Sequence, residues 1–317
     1  MSTQARTGNQ YCIHAGELSA VICQLGAKIR RFDHSGKPVL CPFGQDDLTP
    51  TCNGYILAPW PNRMENGEYD FGGSHYRVPV NEQTPKPRNN ANHGFAYQYF
   101  WSLECLTETS VTQSLRFPNL DGYPFDLSLK ATYAIDERGL SATVTATNND
   151  SRTAPWALGF HPWLANGGNG ETAAERDADS QRCRLRIDAD THVTVNDSLI
   201  PVGTEPVTGV YDLRDSPTLE GRTFDDAWVD VARGKDGTTA AVFTRPDGVE
   251  VSIIADRTVN AWQCYTATGA PIDEHPAGIA VEPMTAPANA FRTGAHLVSI
   301  PAGDSYSTTV RYQVAQR

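Results

Sequence analysis

A chain of 317 residues with 39% hydrophobic content is long enough to bury a large core, and its 26 glycines and 21 prolines suit many turns between short strands better than long helices. Its formal net charge of −11, from 37 acidic against 26 basic side chains, excludes nucleic acid and an anionic membrane surface as partners, because both demand a basic face.

The seven cysteines, Cys12, Cys23, Cys41, Cys52, Cys105, Cys183 and Cys264, contain no C-x-x-C pair and no Cys/His cluster at zinc spacing. They read as reduced thiols of a cytoplasmic protein. No window has the apolar length of a membrane span, and the first residues carry no apolar core of a signal peptide. In chain order, Leu18 to Leu25 and Ala27 to Phe32 read as strands, with Gly26 and Ala27 where the two approach closely. Tyr55 to Leu57 is a short apolar strand. The prolines on either side of Trp60 make the segment Trp60 to Arg63 stiff, as a binding loop requires. Asn66-Gly67 and Gly72-Gly73 read as hairpin turns. The polar stretch Asn81 to Asn92 has no periodicity and reads as a loop ending on His93-Gly94.

The clearest β signal runs from Leu127 to Ala146, where apolar residues alternate with polar ones on either side of a turn at Asp136 to Gly139. An apolar strand then delivers His161, pinned by Pro162. Ala165 to Ser180 is glycine-rich and acidic and reads as a mobile surface loop, with a lid over His161 as the alternative to a plain solvated excursion. Short strands recur to the end of the chain, and no helix stands out. All 317 residues read as a single domain of all-β class.

Near the end, Gly278 to Phe291 reads as a buried strand that delivers Glu282 and stops at Pro283. A charge in that position is expensive unless it is used or paired. Each of these residues has a structural reading as well: Glu282 as a salt-bridged rim carboxylate, His161 as a core histidine satisfied by backbone, His93 as a turn residue, and Arg63 as a surface arginine. A carboxylate and imidazoles held together on rigid β elements are, however, the raw material of general acid–base chemistry.

Asn62-Arg63, His93-Gly94, His161-Pro162, Phe224-Asp225-Asp226 and Val281-Glu282-Pro283 occur in that order, each at a strand end or in a stiff turn. This pattern resembles the aldose 1-epimerase (mutarotase) family, and the resemblance extends from about Leu18 to Tyr312. It implies a large antiparallel β-sandwich, the supersandwich of galactose mutarotase-like proteins, with a small-molecule sugar bound in an open cleft and no metal or other cofactor. It implies Glu282 as general base, His161 as general acid carrying its proton at rest, and His93 as the second active-site histidine. Arg63, Asn62 and Asp225 would hold sugar hydroxyls, with Asp226 the alternative to Asp225.

The chain departs from the family pattern at Phe95, where a second glycine is common, and at Tyr97, where the hexose-6-phosphate group often has arginine. The form Trp60-Pro61-Asn62-Arg63 resembles a bacterial subgroup that includes sulfosugar mutarotases. An anionic hexose is therefore the alternative substrate, with an arginine cluster such as Arg63 and Arg88 as the discriminating feature. A non-catalytic sugar-binding protein on the same scaffold is the alternative from a different class.

Overall fold

The hairpin of Leu127–Asp136 and Gly139–Asn148 sets the pattern for the molecule. Leu127, Leu129, Ala131, Tyr133 and Ile135 are buried while their neighbours are not, and Asp136 pairs with Gly139 across a two-residue turn. A period of two forces this alternation: residues i and i+2 share a face, so one face becomes core. The computed structural model describes residues 4–48, 51–82, 88–117 and 120–316.

Among these residues two large antiparallel sheets dominate. The hairpin belongs to an eight-stranded sheet that runs from Ser102–Leu106 at one edge to Arg184–Ile187 at the other. The second sheet has twelve strands. Its centre is Gly278–Met284, with Ala261–Tyr265 and Asp225–Val231 on one side and Gly159–His161 and Trp163–Ala165 on the other. Most buried apolar side chains of both sheets form one cluster, including Phe32, Tyr133, Trp156, Trp228, Trp262 and Tyr312, with a smaller separate one around Trp163 and Ala280. Each large apolar side chain so buried contributes roughly 1.5–3 kcal/mol. Tyr133 donates its hydroxyl to the carbonyl of Ala27 at 2.6 Å and Tyr123 to that of Pro155 at 2.6 Å, so these two phenols enter the core with their polar ends satisfied.

Several elements differ from the sequence expectation. The stretch 165–180 is not a loop throughout, because Ala173–Gln181 is a helix. Thr172 caps it, accepting from the Glu175 amide, while the Glu175 side chain reaches back to the Thr172 amide. Asp177 and Arg176 on this helix then fasten the segment at His275, through Asp177 Oδ1 to His275 Nε2 at 2.9 Å and Arg176 to the His275 carbonyl. Gly26 and Ala27 form the turn between Leu18–Cys23 and Ile29–His34, both with positive φ. Gly72-Gly73 closes the hairpin of Glu68–Phe71 and Ser74–Arg77, but Asn66-Gly67 joins strands that pair elsewhere. Within the predicted loop 81–92, Asn90–Asn92 is a strand paired with Arg63–Glu65. Residues 83–87 of that loop lie outside the described residues.

The central strand also does not stop at Pro283 but runs to Met284. Val281 and Thr285 donate to the carbonyls of Pro162 and Leu158 on the neighbouring segment. Pro283 lies between them, where that neighbour breaks between Gly159–His161 and Trp163–Ala165, and a residue without an N–H is tolerated there. Among the described residues no helix is long and apolar enough to cross a membrane.

Candidate active site

Every residue of Gly278–Met284 is buried, so Glu282 sits at a central position with 2% of its surface exposed. His161 reaches the same place from Gly159–His161, a strand paired with Tyr55–Leu57. Its Nε2 lies 3.3 Å from Glu282 Oε1, and the two side chains are 6% and 3% exposed. Trp163 stacks beside the His161 ring at 6.1 Å and His93 meets it edge-on at 5.4 Å. Rings on two sides restrict the imidazole to a narrow range of orientations.

The two side chains are almost wholly buried, and burial sets the direction in which each is pushed. Burial lowers His161 to about 3 and raises Glu282 well above the usual carboxylate range, with Asp225 pushing Glu282 further up and Arg63 pulling it down. Each group is thus held towards its neutral form. These directions run against the expectation of a resting imidazolium at His161, and burial is the largest cause for both members. His161 Nδ1 and Glu282 Oε2 are buried and have no hydrogen-bond partner among the described residues.

His93 owes its place to the glycine after it. Both residues have left-handed φ, +64° at each, and a Cβ on Gly94 would fall 2.1 Å from the Ala58 carbonyl oxygen. Only glycine fits there. The turn lets the Phe95 and Ala96 amides donate to that same carbonyl at 2.7 and 3.1 Å. Asn62 and His93 then lock together: the His93 amide donates to the Asn62 carbonyl at 3.0 Å, and the Asn62 amide donates to His93 Nδ1 at 3.1 Å. A ring nitrogen that accepts from an amide carries no proton, so the neutral ring bears its hydrogen on Nε2. Burial lowers His93 well below the usual histidine range, with His161 and Arg63 adding to the effect. His93 is a neutral hydrogen-bond donor.

Arg63 is held by two carboxylates, donating from Nε to Glu82 Oε1 at 3.0 Å and from a terminal nitrogen to Asp225 Oδ2 at 3.4 Å. Arg88 shares Glu82 at 3.0 Å. The segment Thr285 to Asn289 contributes from behind: the Asn289 amide donates to the Arg63 carbonyl at 2.6 Å, and Asn289 Oδ1 accepts from the Glu65 amide at 3.1 Å. Asp225 Oδ1 also accepts from Gln263 Nε2 at 2.8 Å, and Gln263 is directly opposite Glu282 across the sheet.

Asn62, Arg63, His93, His161, Asp225 and Glu282 all line one open cavity of about 480 Å³. Asp226 does not, because consecutive strand residues face opposite ways. Its Oδ1 pairs with His192 Nε2 at 2.8 Å instead. Glu82 and Gln263 escaped the sequence reading. A glutamine inside the apolar strand Ala261–Tyr265 was the available signal for one, whereas Glu82 lies in a polar stretch that carries none. A larger cavity of about 600 Å³, lined in part by Lys37, Arg176, Arg245 and Asp247, has no histidine among its described lining residues. One grouping invisible to sequence spacing is that of Cys52, His93 and His161, each offering a ligand atom within 4.8 Å of the others.

Among known proteins, the chain is 28% identical over 312 residues to the uncharacterized protein YihR of Escherichia coli K12, covering 94% of this chain and 90% of that one. It is 28% identical over 163 residues to the galactose mutarotase of Mus musculus, covering 51% of this chain and 45% of the mouse protein. A crystal structure of a putative aldose 1-epimerase from Escherichia coli K12 superposes with a TM-score of 0.82 at 15% identity, over 98% of this chain and 99% of that one, a likeness of fold. The family model for aldose 1-epimerase matches residues 9–313, and the chain belongs to the aldose 1-epimerase family.

Proposed function

We propose that this protein is a mutarotase, interconverting the α and β anomers of a free aldose by general acid–base ring opening and closure. The observation that carries the reading is the buried pair of Glu282 and His161, 3.3 Å apart at the cavity wall, with a further oxygen and nitrogen unpartnered. The reaction needs a base at the C1 hydroxyl and an acid at the ring oxygen, two atoms bonded to one carbon. A base and an acid in contact match two oxygens that close together.

The steps balance without a redox partner. Glu282 as carboxylate takes the proton from the C1 hydroxyl; the C1–O1 bond becomes a carbonyl as the bond from C1 to the ring oxygen breaks, and that oxygen takes a proton from His161. Rotation about C1–C2 and reversal of the transfers give the other anomer. The neutral pair already holds the proton that this requires, since passing it from Glu282 to His161 yields carboxylate and imidazolium. Sugar hydroxyls hydrogen-bonded to the charged forms would offset part of their desolvation. His93, as a fixed neutral donor, would bind a sugar oxygen without competing for that proton. Asn62, Arg63 and Asp225 would hold further hydroxyls.

A second reading, an anionic hexose as substrate, draws on Arg88, whose buried Nε has no partner among the described residues at the same cavity. Against it stands the charge balance: Arg63 and Arg88 are matched by Glu82 and Asp225. The test follows anomeric equilibration of fresh glucose, galactose and a 6-phosphorylated or 6-sulfonated hexose by polarimetry or NMR exchange. A rate above background for a neutral aldose supports the first reading, acceleration confined to the anionic hexose supports the second, and no acceleration of any sugar removes both.

A further inference from the structure

Cys52 has no part in the reaction proposed above, yet its sulfur lies where a ligand for that site would bind. The residue has a left-handed φ of +57° and precedes Asn53 and Gly54, whose amide donates to the His161 carbonyl at 2.9 Å. Through this link the thiol and the imidazole belong to one rigid unit. Cys52 Sγ and one ring nitrogen of each of His93 and His161 all lie within 4.8 Å of one another. A tetrahedral zinc ion bonds sulfur at about 2.3 Å and nitrogen at about 2.0–2.1 Å, so its ligand atoms stand between about 3 and 4 Å apart. The three side chains need close by only about 1 Å to reach that geometry.

Three further features point the same way. His161 Nδ1 is buried and without a hydrogen-bond partner among the described residues, a nitrogen aimed at nothing in the protein. His161 Nε2 stands 3.3 Å from Glu282 Oε1; once metal binding drives the Glu282 proton off to solvent, this is the carboxylate–imidazole arrangement that orients a ligating histidine and raises its basicity. A thiolate with two imidazoles also matches zinc and other thiophilic ions, whereas magnesium and calcium require oxygen.

We infer that Cys52, His161 and His93 form a capture site for a thiophilic divalent ion, zinc in the first instance, and that its occupation blocks the cavity to sugar. The sulfur–metal bond forms as the Cys52 thiol releases its proton to solvent; no oxidant or reductant takes part. His93 joins by turning its ring away from the Asn62 amide, because Nε2 carries the hydrogen in the present arrangement. One neutral hydrogen bond is lost in exchange for a metal–nitrogen bond. The inhibitory consequence rests on the mutarotase reading, but the metal site does not.

The experiment uses the full chain, wild type beside Cys52→Ser, each checked for an unchanged far-UV circular dichroism spectrum. Cobalt(II) is titrated as a spectroscopic probe and Zn²⁺ by calorimetry, and neither measurement depends on turnover. Wild type should take up one cobalt ion with a thiolate-to-cobalt charge-transfer band in the near ultraviolet. Cys52→Ser should lose the band and bind Zn²⁺ about 100-fold more weakly, at least the penalty that attends loss of an outer partner of a ligand. If an aldose is turned over, Zn²⁺ should inhibit wild type in competition with sugar and lose that effect on Cys52→Ser. The absence of a charge-transfer band, or equal Zn²⁺ affinity in the two proteins, overturns the site. A cobalt band without mutarotation of any sugar would leave the metal site standing and remove only the mutarotase reading.

Discussion

Asp225 and Asp226 are adjacent on one strand and serve different parts of the molecule: Asp225 faces the cavity and holds Arg63 and Gln263, whereas Asp226 faces away and holds His192. Tyr211 stacks on that histidine at 3.7 Å, and Glu205 holds its other nitrogen at 3.0 Å. The pleat alone separates the two carboxylates.

Substituting each aspartate should therefore give opposite phenotypes. Asp225→Ala should raise KM for the sugar with little loss of thermal stability. Asp226→Ala should leave KM nearly unchanged and lower the melting temperature. Burial pulls His192 down, but its hydrogen bonds to Asp226 and Glu205 raise it above the usual histidine value on balance. A raised histidine stabilises the fold fully below the unfolded value of about 6.5, and the contribution fades as pH climbs through the folded value. The penalty of Asp226→Ala should thus be larger at pH 6 than at pH 9. Equal penalties at both would contradict the assignment of His192 to this ion pair.

Glu282→Gln and His161→Ala should each reduce kcat for mutarotation by about 10²–10⁴-fold, the usual worth of a positioned acid or base. Circular dichroism should show the fold intact. Rates within a few-fold of wild type in both variants would remove the proposed roles.

Glu282→Gln should also change how stability depends on pH. Because the folded-state value of Glu282 is raised, wild type holds its full stability below the unfolded value of about 4.3 and loses some as pH rises towards the folded value. The glutamine variant has no proton to lose there. The difference in melting temperature, variant minus wild type, should grow between pH 5 and pH 8; a flat difference would mean that Glu282 titrates normally.

The Glu82 side chain is 8% exposed and pairs with two guanidinium groups, those of Arg63 and Arg88. Its replacement by alanine leaves Arg63 paired with Asp225 and removes the ion pair that Glu82 makes with Arg88. Breaking a buried pair from one side costs about 3–5 kcal/mol. Denaturant unfolding of Glu82→Ala should register a loss of that order, and a loss under about 1 kcal/mol would class Glu82 with ordinary surface ion pairs.

The sequence by itself determined the fold class and picked out Asn62, Arg63, His93, His161, Asp225 and Glu282 among the residues of the cavity wall, for reasons that are local. Period-two alternation from Leu127 to Ala146 already specifies a half-buried hairpin. His93-Gly94 already reads as a turn, and the order of the five motifs carried the family. The capping box Thr172 to Glu175 was a helix signal that went unread, because the glycines before it favoured a loop.

Only the tertiary structure decided what depends on contacts between distant segments. It set Asp225 rather than Asp226 towards the cavity and made Glu82 the counter-charge of Arg63. It brought Cys52 beside two histidines that lie 41 and 109 positions further along the chain. Above all it set the burial that pushes Glu282 and His161 towards their neutral forms, because exclusion of water is a property of packed surfaces that no single stretch of sequence possesses.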